Sequence, residues 1–117
     1  MVFLVPILQD QLRKVVLIDD DELLHMSWMR YCKKNSIGLS AYSSIENFIN
    51  NSHGYPKDTS IYIDSNLGDG IKGEIESEEI FKLGFSNLYM ATGYEKDSIQ
   101  KPAWIKEIYS KSPENIG

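Results

Sequence analysis

The sequence predicts an α/β fold in which helices cover both faces of one parallel β-sheet. Short apolar runs alternate along the chain with segments of helical periodicity, the order expected for parallel strands joined by right-handed crossovers. The runs are continuously apolar, as in strands buried on both faces. Two of them stop at carboxylates, at the strand ends where open α/β sheets place their sites. Five strands are expected, at residues 15–18, 39–42, 60–63, 88–91 and 105–109.

The first apolar run leads into three consecutive aspartates in the stretch VVLIDDDELL. Adjacent carboxylates repel one another unless a cation or solvent offsets their charge. Asp19, Asp20 and Asp21 therefore indicate either a divalent-metal site or a helix cap. Apolar residues then recur at helical spacing, which predicts a helix at residues 21–35. Three of its residues are interpreted as packing residues: Met26, Met29 and Cys32.

Two further helices are expected before the fourth strand. Ser43 and Glu46 have the spacing of a capping box and indicate a short second helix. The third strand ends in Asp64, and a glycine-rich loop follows it. The next helix is expected at residues 74–83, and three of its residues are expected to be buried: Ile75, Ile80 and Leu83.

The last part of the chain leaves little room for helices. Residues 93–104 separate the fourth and fifth strands and include Pro102, so a regular crossover helix hardly fits. Only residues 112–117 follow Lys111, which is too few for a sixth element. The expected fold is a doubly wound, five-stranded parallel sheet that is truncated at its C-terminus.

Length, charge and cysteine content narrow the class of protein. A chain of 117 residues is one compact domain, expected at residues 14–117, with residues 1–13 as a flanking segment or linker. The net charge of −5, with 12 basic residues and no basic run, argues against a nucleic-acid partner. The single Cys32 indicates a reducing, cytoplasmic location. The apolar start MVFLVPIL is too short to span a bilayer, so no membrane contact by this domain is expected.

Polar side chains follow four of the predicted strands: Asp19 and Asp20, Asp64, Thr92 and Lys111. Because parallel strands end at the same edge of a sheet, we expect these side chains to meet. Carboxylates hold a divalent cation, and one carboxylate can attack phosphorus. A hydroxyl and an ammonium can hold phosphoryl oxygens. The set therefore indicates phosphoryl chemistry.

With these residues in place, the chain resembles the receiver domain of two-component response regulators and hybrid histidine kinases. The resemblance spans residues 14–113, and each of its motifs is weak alone. It rests on LIDDDE, IYIDSNLGDGIKG, YMATG and YSKSP, at residues 17–22, 61–73, 89–93 and 109–113.

The resemblance implies a flavodoxin-like sheet with the strand order 2-1-3-4-5. It implies that Asp64 accepts a phosphoryl group from a histidine kinase or a histidine phosphotransfer domain, without turnover of an external substrate. Thr92 would be the switch hydroxyl, and Lys111 would pair first with the Asp64 carboxylate and then with its phosphate.

The resemblance also implies a Mg²⁺ site. Its direct ligands would be the carboxylates of Asp20 and Asp64 and the backbone carbonyl of Asn66. Asp19 would contribute through a water molecule. Asp21 would then be left as an acid at the start of the helix.

The lysine of the site has two candidates. The family places its lysine directly before proline, as in Lys101-Pro102, whereas Lys111 is followed by Ser112. Lys101 comes too soon after Thr92 for a crossover and a strand to fit between them. We therefore expect Lys111, with Lys101 as the fallback.

The chain departs from the family at several points. Leu67-Gly68 stands where a Met-Pro pair is usual, helix four is shortened and helix five is missing. In this topology helices one and five cover the same sheet face, so apolar surface would be left exposed. We expect MVFLVPIL, a second copy of the chain, or both to cover it, and a homodimer is one solution.

Two other functions compete with the receiver interpretation. A pseudo-receiver would bind a partner without phosphorylation, which the missing helices favour. A phosphatase similar to haloacid dehalogenases would use Asp19 and Asp21 as a DxD pair, but that class needs a further acidic motif after the lysine. His25 and His53 are interpreted as surface residues.

Overall fold

A computed structural model describes residues 13–116, and it contains one parallel five-stranded sheet. The strand order is β2-β1-β3-β4-β5, so the predicted doubly wound α/β fold and its order are confirmed. The strands are β1 Arg13–Ile18, β2 Ile37–Tyr42, β3 Ser60–Ile63, β4 Leu88–Ala91 and β5 Glu107–Tyr109. The segment MVFLVPIL lies outside the described residues, as does most of the predicted flanking segment.

Within residues 13–116, four α-helices and three 3₁₀ turns connect and flank the strands. The helices are α1 Glu22–Lys34, α2 Ile45–Asn50, α3 Gly73–Glu76 and α4 Glu78–Lys82. The 3₁₀ turns are Ser52–Gly54, Lys96–Ser98 and Pro113–Asn115. No helix within residues 13–116 has the length and apolar character needed to cross a bilayer.

The central strands are buried on both faces, as their continuous apolar runs predict. Along β1, Val16 and Ile18 pack on the same side as α2 and α4, whereas Val15 and Leu17 pack on the side of α1. The α1 side also contains an aromatic row across β3, β4 and β5: Tyr62, Tyr89 and Tyr109. Two apolar cores therefore cover the two faces of the sheet.

Helix α1 begins where the aspartates end. The side chain of Asp21 caps it by accepting a hydrogen bond from the amide of Leu23 at 3.0 Å. Cys32 is buried, as predicted. The prediction for Met26 and Met29 is wrong, because their side chains are 59% and 51% exposed. At 100° per residue both point away from the buried stripe of the helix.

The two helices after α1 differ from the prediction in detail. The cap of α2 is Ser44, which accepts from the amide of Asn47, and the predicted capping box of Ser43 and Glu46 is wrong. The single helix predicted at residues 74–83 is two short helices that meet at Ser77. Two of its three predicted core residues are exposed, Ile75 and Leu83, whereas Ile80 is fully buried.

Within the described residues, the crossover from β4 to β5 contains only the 3₁₀ turn Lys96–Ser98, so the prediction that no regular helix fits in this crossover is confirmed. Ile99 and Ile105 fill the core where that helix would pack. After β5 the chain forms the turn Pro113–Asn115 and buries Ile116 on the α1 side. That residue covers part of the sheet face that a fifth helix would cover.

Candidate functional site

The strand ends are fixed side by side by backbone hydrogen bonds that continue the sheet into the site. The amide of Asp19 donates to the carbonyl of Tyr42 at 3.0 Å, and the amide of Asp64 donates to Ile18 at 2.9 Å. The amide of Thr92 donates to Tyr109 at 3.0 Å. Because these residues extend the parallel ladder, their side chains project at one edge.

The strand-end side chains form an open cleft of about 410 Å³ at this edge. Its walls include Asp20, Asp64, Asn66, Thr92, Tyr94 and Lys111. The structure thus brings together the residues that the sequence analysis singled out, with Asp19 buried directly behind them. The cleft opens to solvent, so a second molecule can reach it.

Two buried carboxylates share one ammonium at the base of the cleft. Asp19 is 0% and Asp64 is 3% exposed. The Nζ atom of Lys111 lies 3.0 Å from Oδ2 of Asp19 and 3.2 Å from Oδ2 of Asp64. The three groups carry a net charge of −1, which leaves negative potential available for a further cation.

The pKa of Asp64 is raised from 3.8 to about 6. Burial of the carboxylate is the largest cause, and the neighbouring charge of Asp19 adds to it. Lys111 and the backbone amide of Asn66 oppose the rise. For Lys111, burial lowers the pKa, but the hydrogen bond to Asp19 and the two carboxylate charges outweigh it, so the net pKa is raised.

The acidic cluster fits a divalent cation. One carboxylate oxygen from each of Asp19, Asp20 and Asp64 lies within 4.8 Å of the others. Oδ2 of Asp19 is buried, and within residues 13–116 its partner is the Lys111 ammonium, 3.0 Å away. An all-oxygen donor set of this kind suits a hard cation such as Mg²⁺ or Ca²⁺, so the cluster could hold one.

The loop after β3 presents Asn66 at the edge of this cluster. Asn66 forms an isolated antiparallel bridge with Lys72. The hydrogen bonds of that bridge are made by the neighbouring residues, from Gly73 to Ser65 and from Leu67 to Ile71. The amide and carbonyl of Asn66 therefore point out of this small ladder, and the amide bonds to the Asp64 carboxylate.

Glycine permits the loop to pass close to the exposed acid of the cluster. Gly68 has a φ of +87°, and a Cβ at this position would lie 3.4 Å from Oδ2 of Asp20. Its amide donates to the side chain of Asn66 at 3.2 Å. Asp20 itself is exposed, which leaves its carboxylate accessible from the cleft.

Thr92 supplies the hydroxyl of the cleft. It is buried at the end of β4, and its Oγ1 accepts a hydrogen bond from the amide of Tyr94 at 3.1 Å. Within residues 13–116 the hydroxyl donates to no acceptor. The proton of Thr92 is therefore free to bond an oxygen that enters the cleft.

The two candidate lysines have different places in the fold. Lys111 reaches the carboxylates from the segment after β5, and its backbone carbonyl accepts from the indole of Trp28 at 2.9 Å. Lys101 lies in the β4–β5 crossover, where its ammonium donates to the carbonyl of Ile105 at 2.7 Å. Lys101 thus stabilises a loop away from the cleft.

Two polar contacts near the site have no counterpart in the sequence analysis. His25 is half-buried, and its Nε2 bonds the carbonyl of Asp19, so the interpretation of His25 as a plain surface residue is wrong. The position of His25 one turn into α1, close to the aspartates, was the sequence feature that could have predicted this contact. Ser65 donates to the buried Glu74, a pairing for which sequence spacing gave no signal. His53 is exposed, as predicted.

No protein-family profile, curated protein or solved structure matches this chain.

Proposed function

We propose that this chain is a receiver domain, which accepts a phosphoryl group on Asp64 in two-component signal transduction. The observation that carries the proposal is the buried pair of Asp19 and Asp64 bridged by Lys111, with the Thr92 hydroxyl in the same cleft. These groups match the requirements of phosphoryl transfer to a carboxylate: a nucleophile, fixed positive charge and a hydroxyl donor.

Asp64 is the nucleophile. One of its carboxylate oxygens forms a bond to phosphorus while the bond from phosphorus to the donor imidazole nitrogen breaks. The electron pair of that bond leaves with the imidazole, which takes up a proton. With a pKa of about 6, Asp64 is largely ionised near neutral pH and is a stronger base than an ordinary aspartate.

Lys111 and Thr92 act on the phosphoryl oxygens. Lys111 lies 3.2 Å from the Asp64 carboxylate before transfer, so its ammonium is already placed to stabilise charge on the phosphoryl group afterwards. The Thr92 hydroxyl, which donates to no described residue, supplies a hydrogen bond to the same group.

Asp19, Asp20 and Asp64, together with the backbone carbonyl of Asn66, would hold Mg²⁺ at this site, with Asp19 acting through water. The bound cation supplies charge neutralisation for the transferring phosphoryl oxygens. The fit rests on the three clustered carboxylates, whose combined negative charge exceeds that of the single Lys111 ammonium beside them.

The proposed phosphoryl donor is a histidine kinase or a histidine phosphotransfer domain. A phosphohistidine is presented by another protein, and the cleft is open enough for a protruding imidazole to enter it. The buried, unpaired Cys32 agrees with a cytoplasmic domain. A homodimer through the α1 side of the sheet stays a hypothesis, for which sedimentation is the test.

The experiment is phosphorylation by acetyl phosphate with Mg²⁺, followed by intact mass measurement. Wild type is expected to gain one phosphoryl group that hydroxylamine removes, as for an acyl phosphate. Asp64→Asn is expected to gain none. Asp58→Asn is the matched control, because Asp58 is an exposed acid that lies just before β3, at the end of that strand opposite to Asp64. A phosphoryl group that persists in Asp64→Asn would refute the site.

The same experiment tests the pseudo-receiver alternative, since a pseudo-receiver gains no phosphoryl group. A separate assay with a generic phosphate ester tests the phosphatase alternative, since only a phosphatase turns the ester over. The structure offers little for the phosphatase interpretation, because Asp21, the second acid of its DxD pair, caps α1 through Leu23. Asp21 also donates its amide to Oδ1 of Asp19 at 2.8 Å, which places it in the helix start.

A further inference from the structure

The residue that follows the acceptor, Ser65, makes a buried hydrogen bond outside the cleft. Its hydroxyl donates to Oε1 of Glu74 at 2.8 Å. Ser65 is 5% and Glu74 is 8% exposed, so this is a carboxylate taken largely out of water. Buried carboxylates are rare because desolvation is costly, and they call for an explanation. The bond joins the acceptor loop to the first turn of α3.

Helix α3 also starts in direct contact with the acceptor backbone. The amide of Gly73 donates to the carbonyl of Ser65 at 2.8 Å. A Cβ at Gly73 would lie 1.8 Å from the carbonyl oxygen of Asp64, so only glycine fits here. Because the contact is this close, a shift of α3 moves the backbone of the acceptor directly.

The backbone of Glu74 is held by a second serine, Ser77. The hydroxyl of Ser77 donates to the Glu74 carbonyl at 3.0 Å and accepts from the indole of Trp104 at 2.8 Å. Ser77 is fully buried between α3 and α4. Through Trp104 the chain of bonds is anchored in the β4–β5 crossover, so Glu74 offers Ser65 a fixed partner.

We propose that Glu74 is a positioning residue for the acceptor loop: through Ser65 it fixes the backbone of residues 64–66 in the arrangement that binds a divalent cation. Ser65 lies between the two groups concerned, the Asp64 carboxylate and the Asn66 carbonyl, so rotation of Ser65 displaces both. The inference rests on the proposed function, because it concerns the metal ligands of the same site.

The test compares four single variants by Mg²⁺ titration of the full chain, with calorimetry as the readout. Glu74→Leu and Ser65→Ala each break the bond, and each is expected to weaken Mg²⁺ binding about tenfold, as for loss of other groups that orient metal ligands. Glu74→Gln keeps an accepting oxygen and is expected to restore binding to within about twofold of wild type. Glu76→Leu is the control, since Glu76 is an exposed acid of the same helix.

A double variant separates positioning from charge. Because Glu74 and Ser65 act through one bond, the double variant Glu74→Leu with Ser65→Ala is expected to bind Mg²⁺ no more weakly than either single variant. If Glu74 acts by its negative charge instead, Glu74→Gln weakens binding as much as Glu74→Leu, and Ser65→Ala leaves it unchanged. That pattern overturns the proposal.

Stability and phosphorylation are measured on the same samples. Mg²⁺ affinity is compared at a temperature at which each variant is folded, and if Glu74→Leu does not fold, Ser65→Ala decides. Wild-type affinity in Ser65→Ala overturns the positioning role. Mg²⁺ affinities that vary as expected, without acyl phosphate on wild type, support positioning and refute the phosphoacceptor function. A wild type that binds no Mg²⁺ refutes both.

Discussion

The two sides of the cleft are built differently. The acid side, formed by Asp19, Asp20 and Asp64, contains two buried carboxylates that are fixed by the sheet ladder and by Lys111. The hydroxyl side, formed by Thr92, Gly93 and Tyr94, lies at the end of β4. There, Gly93 is exposed and the Tyr94 side chain is 55% exposed.

This difference assigns separate tasks to the two sides. Burial of the Asp64 carboxylate, and next to it the charge of Asp19, raises the pKa of Asp64 and favours the binding of a cation. The Thr92 side chain is tied by one bond, from the amide of the exposed Tyr94. Weakly held, solvent-facing segments rearrange at low cost, so if the proposed phosphorylation of Asp64 changes the conformation, we expect that change on the hydroxyl side.

The largest expected effect comes from replacing Lys111, whose ammonium offsets the charges of the two buried carboxylates on the acid side. Lys111→Met leaves two buried carboxylates unpaired and is expected to lower the free energy of unfolding by about 3 kcal/mol at pH 8. Phosphorylation by acetyl phosphate is expected to slow by about 100-fold, because a fixed charge beside the phosphoryl group is lost. Urea unfolding and the rate of mass gain are the measurements.

Lys101→Met is the matched control for that variant. It removes a hydrogen bond to Ile105 in the crossover, which costs about 1 kcal/mol, and it leaves the cleft intact. Its phosphorylation rate is expected to equal that of wild type. A loss of phosphorylation in Lys101→Met comparable with that in Lys111→Met would contradict the distinction between the two lysines.

A second effect concerns the pH dependence of stability without metal. The pKa of Asp64 is about 6 in the folded chain and near 3.8 in the unfolded chain, so between these values the folded state binds more protons. The free energy of unfolding therefore falls as pH rises through this window, by about 3 kcal/mol from this group. Below pH 4 this contribution is fully present, and above pH 6 it is lost.

Asp64→Asn isolates this contribution, because its amide does not titrate. With EDTA present, the variant is expected to gain stability relative to wild type as pH rises from 4 to 7, and urea unfolding at each pH measures the difference. Saturating Mg²⁺ should reverse the trend for wild type, since it stabilises the ionised carboxylate. A stability difference that is constant with pH would mean that the acid side is not strained by charge.

The acid side is also the part that the sequence predicted best. An apolar run that stops at a carboxylate fixes both the strand and the edge, so Asp19 and Asp64 could be placed from composition and topology alone. Lys111 was placed by a length argument, since Lys101 left no room for a crossover and a strand. Strong local patterns and simple chain geometry are enough for such residues.

Other features depend on contacts that a local pattern does not encode. The cap of α2 is Ser44 although Ser43 is as good a capping residue, because the choice depends on where the backbone turns. Ile75 fits a helical period yet is exposed, since the helix breaks at Ser77, whose hydroxyl bonds the Glu74 carbonyl. The Ser65 and Glu74 pair arises only when α3 folds back on the acceptor loop.

The smallest expected effect tests the hydroxyl side. Thr92→Val keeps the shape of the side chain and loses the acceptor for the Tyr94 amide, so it is expected to lower the free energy of unfolding by about 1 kcal/mol. Mg²⁺ affinity should not change, because Thr92 is not among the carboxylates of the cluster. Asp64 should still be phosphorylated, since the Asp64 carboxylate and Lys111 are both intact in this variant. The tryptophan fluorescence change on adding beryllofluoride with Mg²⁺ should be lost.

Thr92→Ser retains the hydroxyl and should keep that change. If Thr92→Val instead abolishes Mg²⁺ binding while Thr92→Ser preserves it, the two sides of the cleft are one unit, and the division of tasks between them is wrong.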